Sequence, residues 1–185
     1  MIETPLGVMP APVSNIWCAP GGSIVRIRPI ESTDARLIRE FVQSLSLETR
    51  YLRFMSGVKE LSAKMIDRLT RVDHQRDAAL IAVVNIDGTD RVLGVARYAL
   101  NADGESCDFA IVVADDWQRR RLGSHVLSRL VATASERGLK RIRGDVLAIN
   151  RPMADFARAH GFSVSRSDDE PTLLGVERRL DSEQA

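Results

Sequence analysis

The stretch DDWQRRRLGSHVL, residues 115–127, decides the fold because it joins an apolar strand pattern to an apolar helix pattern. The residues before it, CDFAIVV, predict a strand that ends at Val113, and apolar residues recur at helical spacing after Arg121. The first turn of a helix carries unpaired backbone N–H groups and the positive end of the helix dipole, which together bind phosphate. The three adjacent arginines would add charge-assisted hydrogen bonds to phosphate oxygens. The junction therefore indicates a cradle for a pyrophosphate.

Two other interpretations of the arginine run have to be weighed. A nucleic-acid patch is disfavoured, because the net charge of the 185 residues is only +1 and the stretch lacks the interleaved aromatic residues of a stacking platform. Asp115 and Asp116 also dilute the local positive charge. A solvated helix start stays open from composition alone. Gly123 and Ser124 favour the phosphate site, because small residues let a ligand approach the backbone closely.

Length and composition predict one folded domain. At 44% apolar and 28% charged residues, the chain can bury a sizeable core. Cys18 and Cys107 lie far apart and form no disulfide or metal-ligand pattern, which predicts a reducing, cytoplasmic setting and no metal. No apolar run reaches the length of a membrane span, and the start of the chain lacks the basic region of a signal peptide. We expect an N-terminal arm over 1–22, a domain over 23–181 and a flexible tail over 182–185.

Strand and helix patterns alternate from the start of this domain. SIVRIRPI (23–30) predicts a first strand, and ESTDARLIREFVQSL (31–45) predicts a helix that Ser32 or Thr33 would cap. LETRYLRFM (47–55), rich in arginine and aromatic residues, is interpreted as a connector. A second helix then leads into three strands joined by short Asp-Gly and Asn/Gly turns, which is typical of an antiparallel meander.

The second half of the chain predicts a parallel crossover. Ser62 would cap the second helix, and the helix that begins near Leu122 would end at Gly138. LKRIRGDVLAI (139–149) predicts a strand parallel to the one that ends at Val113. A further helix over 150–161 and a final hairpin complete the domain. We expect an α+β fold whose mixed, mostly antiparallel sheet has about six to seven strands and is flanked by about four helices.

The spacing of QRRRLG (118–123) resembles the signature of the GNAT superfamily of acyl-CoA-dependent N-acyltransferases, which is Gln or Arg, two residues, Gly, any residue, then Gly or Ala. Arg121 stands where the signature has its first glycine, and a helical φ there would tolerate the side chain. The resemblance extends from about Ile24 to Leu180 and includes NRPMADFARAHGF (150–162). SLETRYLRF, LTRVDHQRDAALIAV, LGVARY and FAIVVADDWQ are most similar to the acetyltransferase domain of bacterial Pat-type protein-lysine acetyltransferases.

The resemblance implies that acyl-CoA, with acetyl-CoA as the expected donor, lies in a splay between the fourth and fifth strands. Its pantetheine would pair with the free edge of the fourth strand like an added strand. Its pyrophosphate would meet the backbone amides of the arginine run, and Asn150 would bond the pantetheine arm or the acyl region. The positions assigned to the cofactor are Ile111, Val112, Val113, Gln118, Arg119, Arg120, Arg121, Leu122, Gly123, Ser124, Asn150 and Phe156.

Acyl transfer to an amine needs a general base, because a protonated amine is not a nucleophile. Asp108, early on the fourth strand, corresponds to a glutamate in the Pat-like pattern and is the first candidate. Glu105, at the preceding turn, is the second. The family's frequent general acid, a tyrosine seven residues after the motif asparagine, is replaced here by Ala157. A backbone N–H of the fourth strand would stabilise the thioester oxyanion.

These features predict an N-acetyltransferase that moves acetyl from acetyl-CoA to a primary amine, on a protein lysine or a small molecule, by direct attack in a ternary complex. The alternative is a non-catalytic CoA-binding or regulatory module, which the missing tyrosine and the short Asp108 favour. Arg50, Tyr51, Arg53 and Phe54 could shape the acceptor site or belong to the core. We expect no nucleic-acid or membrane partner. An edge strand near the C-terminus could pair with a second copy in a homodimer.

Overall fold

A single mixed sheet forms the centre of the molecule. The computed structural model describes residues 15–57, 60–166 and 170–180. Within these residues the strands are β1 (Ile16–Cys18), β2 (Ile24–Pro29), β3 (Ala78–Ile86), β4 (Thr89–Leu100), β5 (Ser106–Val113), β6 (Arg141–Leu147), β7 (Ser163–Arg166) and β8 (Leu173–Arg179). Their order across the sheet is β1-β2-β3-β4-β5-β6-β8-β7. Only β5 and β6 are parallel neighbours in the described sheet, so the predicted mixed, mostly antiparallel sheet is confirmed.

Helices cover both faces of this sheet. In the described residues they are α1 (Ala35–Ser44), α2 (Leu47–Phe54), α3 (Ala63–Thr70), α4 (Leu122–Glu136) and α5 (Arg151–Ala159). One face packs against α4 and α5, and Tyr98 and Phe109 of the sheet belong to this core. The other face packs against α1 and α3, and Val95 and Val112 point to that side. Successive residues of β4 and β5 therefore serve two separate apolar layers.

The described residues contain one strand and one helix more than predicted. The extra strand, β1, pairs antiparallel with β2 and comes from residues that the sequence assigned to the arm. The extra helix is α2, so the interpretation of residues 47–55 as a connector is wrong. Ser46 caps α2 by accepting a hydrogen bond from the N–H of Thr49 at 3.1 Å. No residue of α2 is fully buried, which explains why the sequence shows no apolar stripe there.

The start of α1 also differs from the prediction. A 3₁₀ turn precedes the helix, and neither Ser32 nor Thr33 caps α1. Instead, the buried Asp34 accepts a hydrogen bond from the N–H of Glu31 at 2.8 Å and two from Arg28, at 2.7 and 2.8 Å. The hydrogen bonds from Arg28 lower the pKa of Asp34 despite its burial. Asp34 therefore fixes the turn that precedes α1, and its side chain makes no capping hydrogen bond to α1 itself.

The remaining helix ends follow the prediction. Ser62 accepts a hydrogen bond from the N–H of Met65 at 3.3 Å and so caps α3. Gly138 and Gly161 follow α4 and α5 with φ of +74° and +78°, the left-handed conformation that favours glycine at helix ends. No helix in the described ranges is long and apolar enough to cross a membrane. The predicted tail over 182–185 and the first part of the arm, 1–14, lie outside the described residues.

Candidate active site

The parallel pair β5 and β6 separates after three residues. Ser106 to Asp108 pair with Arg141 to Arg143, and the remaining residues of β5 pair only with β4. The separation begins at Phe109, whose carbonyl oxygen would lie 2.9 Å from a Cβ placed on Gly144. Glycine is therefore required where β6 passes Phe109. The predicted splay between the fourth and fifth predicted strands is the gap between β5 and β6.

Alternate residues of β5 turn their backbone groups into this splay. The N–H of Ala114 donates to the carbonyl oxygen of Leu93 at 2.8 Å, so the even-numbered residues of β5 face β4. The N–H and C=O groups of Ile111 and Val113 consequently face the splay, whereas the N–H of Phe109 still belongs to the last rung of the ladder, next to the pair Asp108 and Arg143. Of the three predicted strand positions, Ile111 and Val113 present their backbone to the splay. Val112 bonds towards β4, and its side chain packs with the α1 side of the sheet.

Gln118 ties the arginine loop to the end of this strand. Its side-chain Nε2 donates to the carbonyl oxygen of Val113 at 3.2 Å and to the hydroxyl of Thr49 at 3.4 Å. The carbonyl of Val113 is thereby occupied. In this structure Gln118 positions the loop against β5 and α2.

The two acidic residues before the arginines turn away from them. Asp115 accepts hydrogen bonds from the N–H and hydroxyl of Ser46 and from the hydroxyl of Thr49, at 2.7–2.9 Å. Burial would raise the pKa of Asp115, but these hydrogen bonds outweigh it and lower the pKa. Asp116 pairs with Arg91 at 3.1 Å. Both carboxylates are thus engaged elsewhere, and the local positive charge is not diluted as the sequence suggested.

The three arginines themselves are exposed. None of Arg119, Arg120 and Arg121 forms an ion pair with an acidic residue in the described part of the chain. The guanidinium of Arg120 lies 5.6 Å from the ring centre of the half-buried Trp117, which anchors the loop between the two cores. We name these three residues the loop arginines. Their charge is uncompensated and solvated.

The backbone of the loop arginines differs from expectation. Arg119 and Arg121 have φ of +57° and +68°, so the helical φ that would ease the missing glycine at Arg121 is not adopted. Arg121 takes the left-handed conformation that a glycine adopts readily and that costs another residue roughly 1–2 kcal/mol. The chain therefore keeps a glycine-like backbone at this position without the glycine.

The N-terminus of α4 follows directly and lies beside the splay. The N–H of His125 donates to the carbonyl oxygen of Arg121, so the amides before it, in the first turn, lack intrahelical partners. Leu122 is buried in the core, and Gly123 and Ser124 are partly buried. A Cβ on Gly123 would lie 3.5 Å from the ring of Phe156 and 3.7 Å from a methyl group of Val113. Three predicted positions, Val113, Gly123 and Phe156, are thus brought together.

Asn150 has a local structural role. Its side-chain oxygen accepts a hydrogen bond from the N–H of Met153 at 3.2 Å and caps α5. The oxygen is engaged, and only the amide nitrogen makes no hydrogen bond within the described residues. Phe156, in the second turn of α5, also contacts the tilted ring of His160, with ring centres 4.2 Å apart.

The two candidate bases lie at different distances from the splay. Asp108 is the last residue of β5 that pairs with β6, and its Oδ1 accepts hydrogen bonds from Arg143 Nε at 2.9 Å and Asn101 Nδ2 at 3.1 Å. Its Oδ2 makes no hydrogen bond in the described ranges. Glu105 precedes β5, where it pairs with Lys140. At about 3.4 Å per residue, Glu105 lies roughly 10 Å farther from the splay than Asp108 does.

Cys107 is unsuited to carrying an acyl group. Its side chain is fully buried, and burial raises the pKa of the thiol to about 12. The thiolate is the nucleophilic form of cysteine, so this residue is unreactive near neutral pH.

A splayed parallel pair beside an arginine loop and a helix N-terminus defines the class of protein as an acyltransferase. The family model described as "Acetyltransferase (GNAT) family" matches residues 41–162, more than half of the chain. The chain therefore belongs to the GNAT acetyltransferase family and is an N-acetyltransferase. The resemblance seen in the sequence is confirmed.

Individual relatives agree with this assignment. The acetyltransferase PA5475 of Pseudomonas aeruginosa is 34% identical over 153 residues, which are 83% of this chain and 82% of that protein. The crystal structure of the GNAT domain of S. lividans PAT superimposes with a TM-score of 0.81 and 28% identity, covering 92% of this chain and 99% of that one. The acetyltransferase Pat of Mycolicibacterium smegmatis is 27% identical over 77% of this chain and 42% of that protein.

The sequence did not single out several residues that shape this site. Gly144 and the contacts of Ser46 and Thr49 with Asp115 depend on segments that are distant along the chain. Gly144, in the middle of a predicted strand, was the one readable signal, because glycine there often marks a close approach of two backbones.

Proposed function

We propose that this enzyme transfers an acetyl group from acetyl-CoA to a primary amine by direct attack in a ternary complex. The observation that carries the proposal is the free backbone edge of β5, which leads from the loop arginines to Asp108. Acetyl-CoA has a charged pyrophosphate at one end of its pantetheine arm and a thioester at the other. The two ends of the splay offer matching chemistry.

The pyrophosphate would bind at the N-terminus of α4. The loop arginines have no acidic partner in the described chain, and the first-turn amides lie beside them. Charge-assisted hydrogen bonds from guanidinium and amide groups are the strong contacts of phosphate sites. The pantetheine arm would then run along Val113 and Ile111, with the free C=O of Ile111 as its backbone partner.

An arm in this direction brings the thioester to the closed end of the splay. There the backbone N–H of Ile111 faces the gap and would stabilise the oxyanion that forms when the amine attacks. Asp108 is the nearer carboxylate, and its free Oδ2 would accept the proton of the amine, directly or through a water. Arg143 holds the other oxygen of Asp108 in place. We therefore favour Asp108 over Glu105 as the base.

Direct attack fits the state of the one cysteine near the site. Cys107 is buried and its thiol pKa is raised to about 12, so an acyl-enzyme on this residue is disfavoured. The amine nitrogen would form a bond to the acetyl carbon as the C–S bond breaks. The departing thiolate of CoA is a weak base and takes its proton from solvent.

The test is the release of free CoA thiol from acetyl-CoA with a panel of amines and lysine peptides. Asp108→Asn should lower kcat/KM by about 100-fold or more, since general base catalysis contributes 10²–10⁴-fold. Glu105→Gln is the matched control and should leave the rate within about twofold. Intact mass after mixing with acetyl-CoA should show no added acetyl group. A stable acetylated enzyme, or equal losses in the two variants, would contradict the proposed mechanism.

A further inference from the structure

A second cluster of arginine lies on the sheet face that α1 covers. A cavity of about 30 Å³ opens between α1, α2 and the strands β4 and β5. Its walls are mainly apolar, but two arginines also line it, Arg53 on α2 and Arg97 on β4. We call these two residues the arginine pair. Their neighbours in the wall include Phe41, Phe54, Val95 and Val112.

The arginine pair has no acidic partner among the residues that the structure describes. Both residues are partly buried, and in the described ranges neither forms an ion pair or a side-chain hydrogen bond. The guanidinium of Arg53 lies 5.2 Å from the ring centre of Phe54. The charge of Asp77 attracts the guanidinium of Arg97, and the charge of Arg68 repels it. This contrasts with Arg28, whose two short hydrogen bonds engage Asp34.

Such an arrangement is unfavourable for an empty site. Burial, together with the charge of Arg97, lowers the pKa of Arg53 to about 10. Burial also lowers the pKa of Arg97. Two partly buried cations that repel each other are stabilised when an anion binds between them. The cavity between them would hold about two waters, which is the space that the two oxygens of a carboxylate need.

The register of the sheet locates the arginine pair beside the proposed reaction site. Arg97 is directly opposite Ala110 on β5, and its neighbour Ala99 is opposite Asp108. Because Tyr98 and Phe109 point to the α4 side, Arg97, Ala110 and Asp108 share the α1 side of the sheet. Diagonal neighbours on one face lie about 7–8 Å apart. An amine held next to Asp108 therefore has the arginine pair within reach of the rest of its molecule.

We infer that Arg53 and Arg97 bind a carboxylate of the acceptor, so that the enzyme prefers a small amine bearing a carboxylate, such as a free amino acid, to a lysine within a peptide. The inference rests on the proposed function and names the substrate class of that site. The same two charges repel the ammonium group of a lysine side chain that carries no carboxylate nearby. Selectivity would thus arise from both attraction and repulsion.

Binding of reaction products tests this without turnover. With CoA present, N-acetyl amino acids and their carboxamides form matched pairs that differ only in the carboxylate. Calorimetric titration should show the carboxylate member of at least one pair binding about 10-fold tighter or more, as expected for charge-assisted hydrogen bonds. Arg97→Gln should abolish this difference, Arg97→Lys should keep part of it, and Arg26→Gln, at an exposed and distant site, should not change it. Equal binding of acid and carboxamide by the wild type across the panel would overturn the inference.

Turnover separates this inference from the proposed function. Free amino acids should release CoA thiol with kcat/KM about 10-fold or more above their carboxamides and above lysine peptides. Arg97→Gln should lower the rate with the acids and leave the rate with the carboxamides within about twofold. Transfer that proceeds equally with acids and carboxamides would refute the carboxylate site and leave acetyl transfer intact. No transfer to any amine, with the acid still bound selectively, would refute the proposed function alone.

Discussion

The loop arginines and the arginine pair hold the same functional group in opposite surroundings. Arg119, Arg120 and Arg121 lie in water at the mouth of the splay, while Arg53 and Arg97 line a small, mainly apolar cavity on the other side of β5. Neither group has an acidic partner in the described chain. Solvated charge costs the fold little and attracts an anion from a distance, whereas partly buried charge costs stability until an anion arrives. The comparison separates the proposed phosphate site from the proposed carboxylate site.

Arg28, unlike Arg53, is hydrogen-bonded to a carboxylate. The change in stability on replacing Arg28 is therefore the largest effect that we expect. Replacing Arg28 by Met leaves the buried Asp34 without its partner and should lower the free energy of unfolding by about 3 kcal/mol, since breaking a buried pair costs about 3–5 kcal/mol and Arg28 is partly exposed. Arg53→Met removes an uncompensated charge and should raise the free energy of unfolding by about 1 kcal/mol. Urea denaturation measures both changes. A loss of stability in Arg53→Met would contradict the interpretation of the arginine pair.

The pH dependence of stability sharpens the same contrast. The pKa of Asp34 is lowered from 3.8 in the folded chain, so its stabilising effect is present above about pH 4 and is lost as the pH falls through the folded value. Arg28→Met should reduce this acid-side loss, because the pKa of Asp34 then returns towards its ordinary value. Arg53→Met should leave the acid limb unchanged. Urea midpoints between about pH 2 and pH 5 report the difference.

Replacing all three loop arginines by Gln should affect cofactor binding strongly and stability little. We expect the Kd of CoA to rise about 30–100-fold, because several charge-assisted hydrogen bonds to phosphate are lost. An acetyl thioester of pantetheine, which lacks the pyrophosphate, should bind the variant and the wild type equally. Calorimetry with the two compounds provides the measurement. Equal weakening of both would show that the loop arginines do not meet the pyrophosphate.

Salt should distinguish the two groups of arginine in the wild-type enzyme. Between about 0.05 and 0.5 M NaCl, we expect the Kd of CoA to rise about 10-fold, because exposed charges are screened. The KM of a carboxylate acceptor should change less than about threefold, since partly buried charges are screened much less. Potassium glutamate would itself compete for the cavity, so chloride is the proper salt. An equal rise of the Kd of CoA and the KM of the acceptor with salt would contradict the difference in exposure between the two groups of arginine.

Arg121→Gly should have the smallest effect. Its left-handed backbone costs an arginine roughly 1–2 kcal/mol, but glycine loses more entropy on folding, so the net gain in stability should be about 0.5–1 kcal/mol. The Kd of CoA should change less than about threefold, because two loop arginines and the helix amides remain. A large loss of affinity would show that the Arg121 side chain, rather than the loop backbone, binds the cofactor.

The sequence predicted the parts of the fold whose signals are local. Apolar runs bounded by turn residues predicted β2 to β6, and Ser62, Gly138 and Gly161 marked helix ends correctly. It missed α2 because that helix is held by hydrogen bonds from Ser46 and Thr49 to Asp115, a residue about 70 positions away. It expected a hydroxyl cap before α1 because the partner of Asp34, Arg28, lies on a neighbouring strand.

In the candidate site, too, local features were predictable from the sequence and long-range contacts were not. The strand, the arginine run and the following helix predict a phosphate cradle from neighbouring residues alone, because helix amides and adjacent side chains act within one turn. Other features appear only in the folded chain. They are the separation of β5 from β6, the pairing of Asp115 with Ser46 and of Asp116 with Arg91, and the left-handed φ of Arg121. The arginine pair joins residues 44 positions apart in the numbering, Arg53 and Arg97, on a helix and a strand. The sequence shows which groups are neighbours along the chain, whereas burial and the charge of a pocket depend on which distant residues the sheet brings together.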